Sequence, residues 1–292
     1  KTRPMKNSLM FQKMVGQRDK TAASTEDAPT NPAGHVALVG AGPGAKDLIT
    51  LRGVQRLQDA DIIFYDRLVD PEILDLACAT AERVFVGKKP GCHSWPQEKI
   101  TEMLVAAAKR GQRVVRLKCG DPGIFARGAE EVAALTAADI PFEIVPGVTA
   151  ACGAAAATGT MLTERDTIDT LVLATGHLSN GHHLPECIQD LRPGTCVALY
   201  MAVSAAPAIA DHLAKLPFAD QIEITAVAKA QTTKQTVVRC QPGELAGALR
   251  KNGIKNSTTI FVRLPKLAAL PMADTAIQRF AKPAALSKPY LA

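Results

Sequence analysis

Aromatic residues are scarce in this 292-residue chain: phenylalanine, tyrosine and tryptophan together make up 4%. That leaves too little ring surface for a platform on which single-stranded nucleic acid could stack. No C-x-x-C pair occurs among the seven cysteines, at positions 78, 92, 119, 152, 187, 196 and 240, and no histidine cluster has zinc-finger spacing. Their odd number and scatter fit free thiols in a reducing cytoplasm, with no metal. No apolar run approaches the ~18 residues of a membrane span. The opening KTRPMKNSLMFQK is charged but lacks the apolar core of a signal peptide. The net charge of +6 does not belong to the body of the chain: residues 1–33 hold six Lys/Arg against three Asp/Glu, and residues 266–292 four against one. Residues 34–265 are neutral, so any acidic ligand must be met by individual cations there. A nucleic-acid module is disfavoured on both counts.

With 47% hydrophobic and 21% charged residues the chain reads as globular, of a size for one large or two ordinary α/β domains. Residues 1–33 lack periodicity and read as a flexible lead or linker, and residues 266–292 as an Ala/Pro-rich tail. From His35 onward strands and helices alternate, as in a mostly parallel sheet covered by helices. Strands are expected at Val36–Val39, Asp61–Tyr65, Arg83–Val86, Arg113–Leu117 and Phe142–Val145. A second set is expected at Thr170–Ala174, Cys196–Tyr200, Glu223–Val227, Thr236–Cys240 and Thr258–Val262. The third and fourth of that set are close enough to form a hairpin, which implies antiparallel pairing. A helix is predicted from Glu98 to Arg110 by the spacing of Ile100, Met103, Leu104, Ala107 and Ala108. Ser94 and Gln97 form an S-x-x-Q capping box before it, which explains Gln97 by helix initiation. A small-residue helix, Thr149 to Thr158, joins an N-terminal domain (34–148) to a C-terminal one (149–265).

Two stretches carry chemistry. VALVGAGPGAKDLITLRG (Val36–Gly53) ends an apolar strand in Gly40, Gly42, Pro43 and Gly44, where backbone N–H groups can approach a ligand. It is not G-x-G-x-x-G, since Pro43 stands where a dinucleotide-binding helix would begin, and Asp66 lies in a turn instead of at a ribose-binding strand end. RVVRLKCGDPGIFARGAEE (Arg113–Glu131) runs from a β-branched strand through a Gly-Asp-Pro turn into a helix. Arg127 and Glu130 sit there at i,i+3, one able to hold an anion and the other to accept a proton. Without further context, each of these charges has the simpler reading of a surface ion pair, and Glu130 that of a helix N-terminal carboxylate.

Taken together, these segments resemble the uroporphyrinogen-III C-methyltransferases of the tetrapyrrole methylase family, a module that also forms the C-terminal half of siroheme synthase. The resemblance rests on Val36–Gly44, YDRLV (Tyr65–Val69), VGKKPGCHSWPQ (Val86–Gln97), LKCGDPGIFARGAEE (Leu117–Glu131), VPGVTAA (Val145–Ala151), LTERD (Leu162–Asp166), ATGH (Ala174–His177) and Tyr200–Met201. It covers about residues 35–265 in order. It implies a two-domain α/β fold, with a mostly parallel N-terminal sheet, a mixed C-terminal sheet and the active site in the cleft between. It further implies a homodimer, S-adenosyl-L-methionine as methyl donor, and methylation of uroporphyrinogen III at C2 and C7 to give precorrin-2. By the same resemblance Pro43, Cys119, Gly120, Asp121, Ile124, Thr149, Ala150, Met201 and Ala230 line the donor site, while Arg127 and Arg165 meet substrate carboxylates. Asp66 and Glu130 are alternative bases, and Lys88 is an acid or carboxylate anchor. Related enzymes usually read GGDPFIFGRG, so Cys119 adds a side chain where glycine is common and Gly123 loses an aromatic. Glu164 replaces a common histidine, and Ala202 and Ala230 replace frequent glycines. A methylase of a later precorrin and a non-catalytic tetrapyrrole-binding protein are the alternatives. No dehydrogenase–ferrochelatase module of the siroheme synthase kind is legible ahead of residue 35; the lead reads as a junction remnant or a simple tail.

Overall fold

A computed structural model describes residues 34–87, 95–176 and 184–266. The first half builds β1 (His35–Gly40), β2 (Ile62–Tyr65), β3 (Glu82–Phe85), β4 (Arg113–Lys118) and β5 (Phe142–Val145). They form one five-stranded sheet in the order β3-β2-β4-β1-β5, parallel throughout. Central parallel strands are covered on both faces and so read as near-continuous apolar runs. In β1, Val36, Leu38 and Val39 are wholly buried.

Alternation along these strands sends neighbouring residues into two separate cores. Ala37, Val39, Ile63, Val115 and Leu117 pack beneath α1 (Leu51–Asp59) and α2 (Pro71–Leu74), through Leu57 and Ile73. Val36, Leu38, Ile62, Phe64 and Val114 pack on the opposite face, beneath α3 (Gln97–Lys109) and α4 (Gly128–Ala137), through Ile100, Leu104 and Leu135. The start of α1 is set by Thr50, whose hydroxyl accepts from the Gly53 N–H at 3.1 Å. The start of α3 differs from expectation. Pro96 is its N-cap and Gln97 its first residue, so Gln97 does not close a capping box. Its amide instead donates to Glu131 at 3.1 Å. Ser94 lies outside the described residues.

The second half begins with α5 (Ala150–Thr158) and builds β6 (Thr170–Thr175), β7 (Thr195–Tyr200), β8 (Glu223–Ala228), β9 (Thr236–Cys240) and β10 (Thr258–Leu264). The sheet order is β6-β7-β10-β8-β9. Only β6 and β7 pair in parallel, and the β8–β9 hairpin is antiparallel as its short connection requires. All ten expected strands are present, with ends displaced by a residue or two. One face of this sheet carries a large core with α7 (Ala206–Leu213) and α8 (Leu245–Lys251), following the short α6 (Glu186–Gln189). The other face packs Cys196, Ala198, Val227 and Phe261 against Ala151, Ala154 and Ala155 of α5. Small residues let α5 lie close to the sheet and still receive Pro43 from the first half: a Cβ on Gly153 would stand 2.5 Å from the Pro43 ring.

Leu38, wholly buried in the middle of β1, tests the first core. Leu38→Ala is expected to cost about 2–5 kcal/mol, read as a lowered urea midpoint with an unchanged m-value.

Candidate active site

Three loops leaving the carboxyl ends of β1, β4 and β5 converge so tightly that only glycine fits at positions 40 and 147. A Cβ on Gly40 would stand 2.6 Å from both the Gly120 carbonyl oxygen and Gly147 Cα, and one on Gly147 only 2.3 Å from the same oxygen. Gly42 and Gly120 exchange backbone hydrogen bonds at 3.2 and 2.7 Å, each with positive φ (+79° and +72°). Gly120 alone of these has room, since an added Cβ would meet nothing nearer than 3.8 Å. Asp121 ties the loops together. One carboxylate oxygen accepts from Gly123 N–H at 2.8 Å and the other from Gly147 N–H at 2.9 Å. The Ile124 N–H closes the turn onto the Asp121 carbonyl at 3.2 Å.

The carboxyl edge of the second sheet meets these loops. Gly44 presses on the Ala230 carbonyl and the Thr232 methyl, where an added Cβ would come within 2.9 and 2.8 Å. The Gln231 amide donates to the Gly153 carbonyl at 2.9 Å. Tyr200, the last residue of β7, reaches across: its hydroxyl lies 2.7 Å from Thr149 Oγ1 and accepts from Ala151 N–H at 3.1 Å. Its ring packs on Phe125, centroids 4.9 Å apart. Thr149 therefore spends its hydroxyl on Tyr200 and does not cap α5. Phe125, Arg127, Met201, Lys229 and Gln231 all hold positive φ in the loops around this meeting of edges. Left-handed backbone costs a non-glycine residue about 1–2 kcal/mol, and such strain concentrates at functional sites. Phe125 and Met201 are also large apolar side chains left about half exposed, at 42% and 53%.

Pro43, Cys119, Gly120, Asp121, Ile124, Thr149, Met201 and Ala230 lie on these facing loops, and Ala150 opens α5 beside them. Cys119 Sγ is 3.8 Å from the Gly42 carbonyl. Burial, helped by the negative charge of Asp66, pushes its thiol up to about 11. At neutral pH it is a thiol and not a competing nucleophile.

The charged candidates divide. Arg127 and Glu130 form a bidentate pair with each other at 2.8 and 2.7 Å, exposed at the start of α4. The guanidinium holds the Glu130 carboxyl below the usual carboxylate range, which weakens it as a base. Arg165 is exposed in the turn closed by the Glu164–Ile168 bridge, with no ion pair among the described residues. Glu164, the departure from histidine, pairs with Arg263 at 3.1 Å. Lys88 lies outside the described residues. Asp66, in the Asp66–Val69 turn after β2, accepts from Arg116 Nη2 at 2.7 Å and keeps 32% side-chain exposure.

The sequence reading missed what stands behind Asp66. Arg116, Lys118 and Glu131 are charged yet nearly inaccessible. Glu131 accepts from Arg116 Nε at 2.9 Å, Lys118 Nζ at 2.8 Å and the Gln97 amide. Burial, and then the Arg116 charge, push the Lys118 amine below the ordinary lysine range.

A doubly wound parallel sheet whose glycine-cradled carboxyl edge faces a second, mixed sheet defines a two-domain α/β enzyme class that binds its ligand at a switch point. The chain matches the family model of the Tetrapyrrole (Corrin/Porphyrin) Methylases over residues 35–246 and belongs to that family. It is 44% identical to "Siroheme synthase 2" of Klebsiella pneumoniae over 231 residues, 78% of this chain and 50% of that protein. The chain thus spans about half the length of the curated relatives it matches. Among solved structures, a uroporphyrin-III C-methyl transferase from Thermus thermophilus, complexed with S-adenyl homocysteine, aligns with TM-score 0.64 and 34% identity, covering 78% of this chain and 97% of that one. A cobalt precorrin-4 methyltransferase of cobalamin biosynthesis aligns with TM-score 0.71 and 28% identity, covering 81% and 97%.

Two measurements check the site geometry. Raising pH from about 9 to about 11 is expected to cost the fold on the order of 2 kcal/mol through Cys119. The sign follows from the thiol's elevated value: folding favours the protonated form, so the penalty begins where the unfolded thiol ionises and grows until the folded one does. Thermal melts of Cys119→Ala against the parent chain should show that part of the alkaline loss removed. Tyr200→Phe strands the Ala151 N–H and the Thr149 hydroxyl, and is expected to cost about 1–3 kcal/mol by urea unfolding.

Proposed function

We propose that this chain transfers methyl groups from S-adenosyl-L-methionine to C2 and C7 of uroporphyrinogen III, giving precorrin-2. The supporting observation is the glycine convergence at Gly40, Gly42, Gly120 and Gly147, opposed by Tyr200 and Met201. It offers close approach to bare backbone on one side, and a ring and a soft thioether on the other. The same residues fit a donor that carries an adenine ring, a ribose and a sulfonium. A relative of the same family, at 34% identity, is known with S-adenyl homocysteine bound.

The donor supplies an electrophilic methyl: as the new C–C bond forms, the C–S bond breaks and the sulfonium becomes a neutral thioether. The protein's task is then to hold the two partners in line, which is chiefly an entropic contribution. Asp121 fixes the cradle through its two backbone contacts, while the protonated Cys119 thiol leaves the methyl to the macrocycle. Each methylated macrocycle sheds a proton, and Asp66 is the better placed acceptor. It stands partly exposed after β2 and Arg116 holds only its Oδ1, whereas Arg127 takes both oxygens of Glu130. Arg165, exposed and without an ion pair among the described residues, is free for a substrate carboxylate. Lys88 keeps its proposed role as acid or anchor from the family resemblance alone.

The chain is proposed to work as a homodimer in the cytoplasm, where the six free cysteines among the described residues would stay reduced. Leu171 on the edge strand β6 and Met161 are exposed apolar side chains that a second copy would cover. No described helix is long and apolar enough to cross a membrane.

A second reading, methylation of a later precorrin, is favoured by the higher TM-score to the cobalt precorrin-4 enzyme, 0.71 against 0.64. Anaerobic incubation with uroporphyrinogen III and a methyl-labelled donor separates the two. Two methyls per macrocycle are expected, whereas none with this substrate but transfer to a later precorrin would favour the second reading. Asp66→Asn is expected to lower kcat by roughly 10²–10⁴-fold, and Glu130→Gln by less than about tenfold. Equal losses would contradict the choice of Asp66.

A further inference from the structure

The face of β4 that carries Val114 into the core beneath α3 and α4 continues with Arg116 and then Lys118, at the spacing that keeps them on that face. Apolar residues would pack there without desolvating any charge, and buried ion pairs contribute little net stability over such a replacement. Yet Arg116, Lys118 and Glu131 keep only 2%, 3% and 0% of their side-chain surface exposed.

The geometry of Arg116 supplies a reason. Nε donates to Glu131 Oε1 at 2.9 Å, Nη1 to the Leu117 and Phe64 carbonyls at 3.2 and 3.4 Å, and Nη2 to Asp66 Oδ1 at 2.7 Å. All three nitrogens of the fork are engaged, so the plane of the guanidinium cannot turn. Glu131 is itself held by Lys118 and Gln97. The chain of contacts runs outward from Glu131 through Arg116 and ends on Asp66, whose side chain is 32% exposed. Asp66 Oδ1 is taken, while Oδ2 accepts no hydrogen bond among the described residues.

We propose that Arg116, locked by Glu131, is a positioning residue for Asp66: it grips one carboxylate oxygen and leaves the other to take the proton lost on methylation. The inference rests on Asp66 being the proton acceptor of the proposed function, and Arg116 itself touches no substrate. The fork is essential to the role, because a lysine cannot reach Glu131 and Asp66 at once in a fixed plane.

A double-mutant cycle on kcat tests this in the full chain. In Arg116→Met the Glu131 carboxylate keeps Lys118 as its counter-ion and the methionine fills much of the vacated stem. It is expected to lower kcat roughly 100-fold, the scale on which a misplaced catalytic group is felt, with the donor KM within about twofold. In an Asp66→Asn background the same substitution is expected to change kcat by less than about threefold, since the group it positions is gone. Losses that multiply across the two backgrounds would overturn the proposal, because a merely structural role acts in both. Arg116→Lys, which keeps the charge and loses the fork, is expected to retain the defect, and full activity in that variant would also overturn it. Should Arg116→Met fold poorly, the lysine variant alone decides. A crystal structure of Arg116→Lys provides a readout independent of turnover, with Asp66 expected in a changed or disordered rotamer. An unmoved Asp66 would contradict the positioning role. Absence of methyl transfer by the parent chain, with Asp66 displaced in the variant, would sink the functional reading and leave the hold of Arg116 on Asp66 standing.

Discussion

The close approach of three backbone segments at Gly40, Gly120 and Gly147 is the constraint on which the remaining structure depends. Parallel strands β1, β4 and β5 deliver their carboxyl ends side by side, and the absence of Cβ atoms lets the loops touch main chain to main chain. Asp121 then pins the β4 loop to the β5 loop through backbone N–H groups. Because the loop after β5 leads into α5, the same contact fixes where that helix starts. The Ala/Gly composition of α5 in turn determines how closely the second sheet can dock. Pro43 against Gly153 and Gly44 against Ala230 complete the join. Sheet topology, helix composition and the facing of the two carboxyl edges are consequences of one packing requirement.

Two kinds of stored energy surround that join. Left-handed backbone at Phe125, Arg127, Met201, Lys229 and Gln231 holds loops in conformations that a free chain would abandon. Buried charge at Arg116, Lys118 and Glu131 holds an aspartate in the turn after β2. Both are unfavourable in isolation and persist because the surrounding cores, with large wholly buried side chains such as Leu38, Leu104, Leu199 and Phe261, are sufficient to carry them.

Much of this was legible in the residues. Each strand declares itself by β-branched and aliphatic residues between turn formers, and the β8–β9 hairpin by the short polar segment between two such runs. The loop glycines Gly40, Gly42 and Gly44 mark a close approach after β1, while the meeting of Gly40 with Gly147 exists only once β1 and β5 lie side by side. The charged cluster was not read, although Arg116 and Lys118 break an otherwise apolar central strand at alternate positions, a pattern that a strand covered on both faces does not tolerate without partners. Their partner Glu131 comes from the following helix and Gln97 from the preceding one, so the pairing exists only once α3 and α4 lie on the sheet. Gln97 reads as a capping-box residue for the same reason: its local spacing is suggestive, while its partner Glu131 is brought to it only by the fold. The opposite error threatened Arg127 and Glu130, whose neighbourly spacing offered two separate roles and whose side chains simply pair.

The central claim is that the glycine convergence receives the methyl donor. Gly120 tests it best: an added Cβ would meet no protein atom nearer than 3.8 Å, so the variant adds no clash within the protein, and the strain of a side chain at φ +72° is read separately in the stability of the fold. Isothermal titration of S-adenosylhomocysteine should be run against the parent chain and Gly120→Ala, with circular dichroism confirming the fold of each. Binding by the parent chain and a loss of at least about tenfold in the variant, or about 1.4 kcal/mol, is the expected result. Equal affinity in the two folded proteins would contradict the claim.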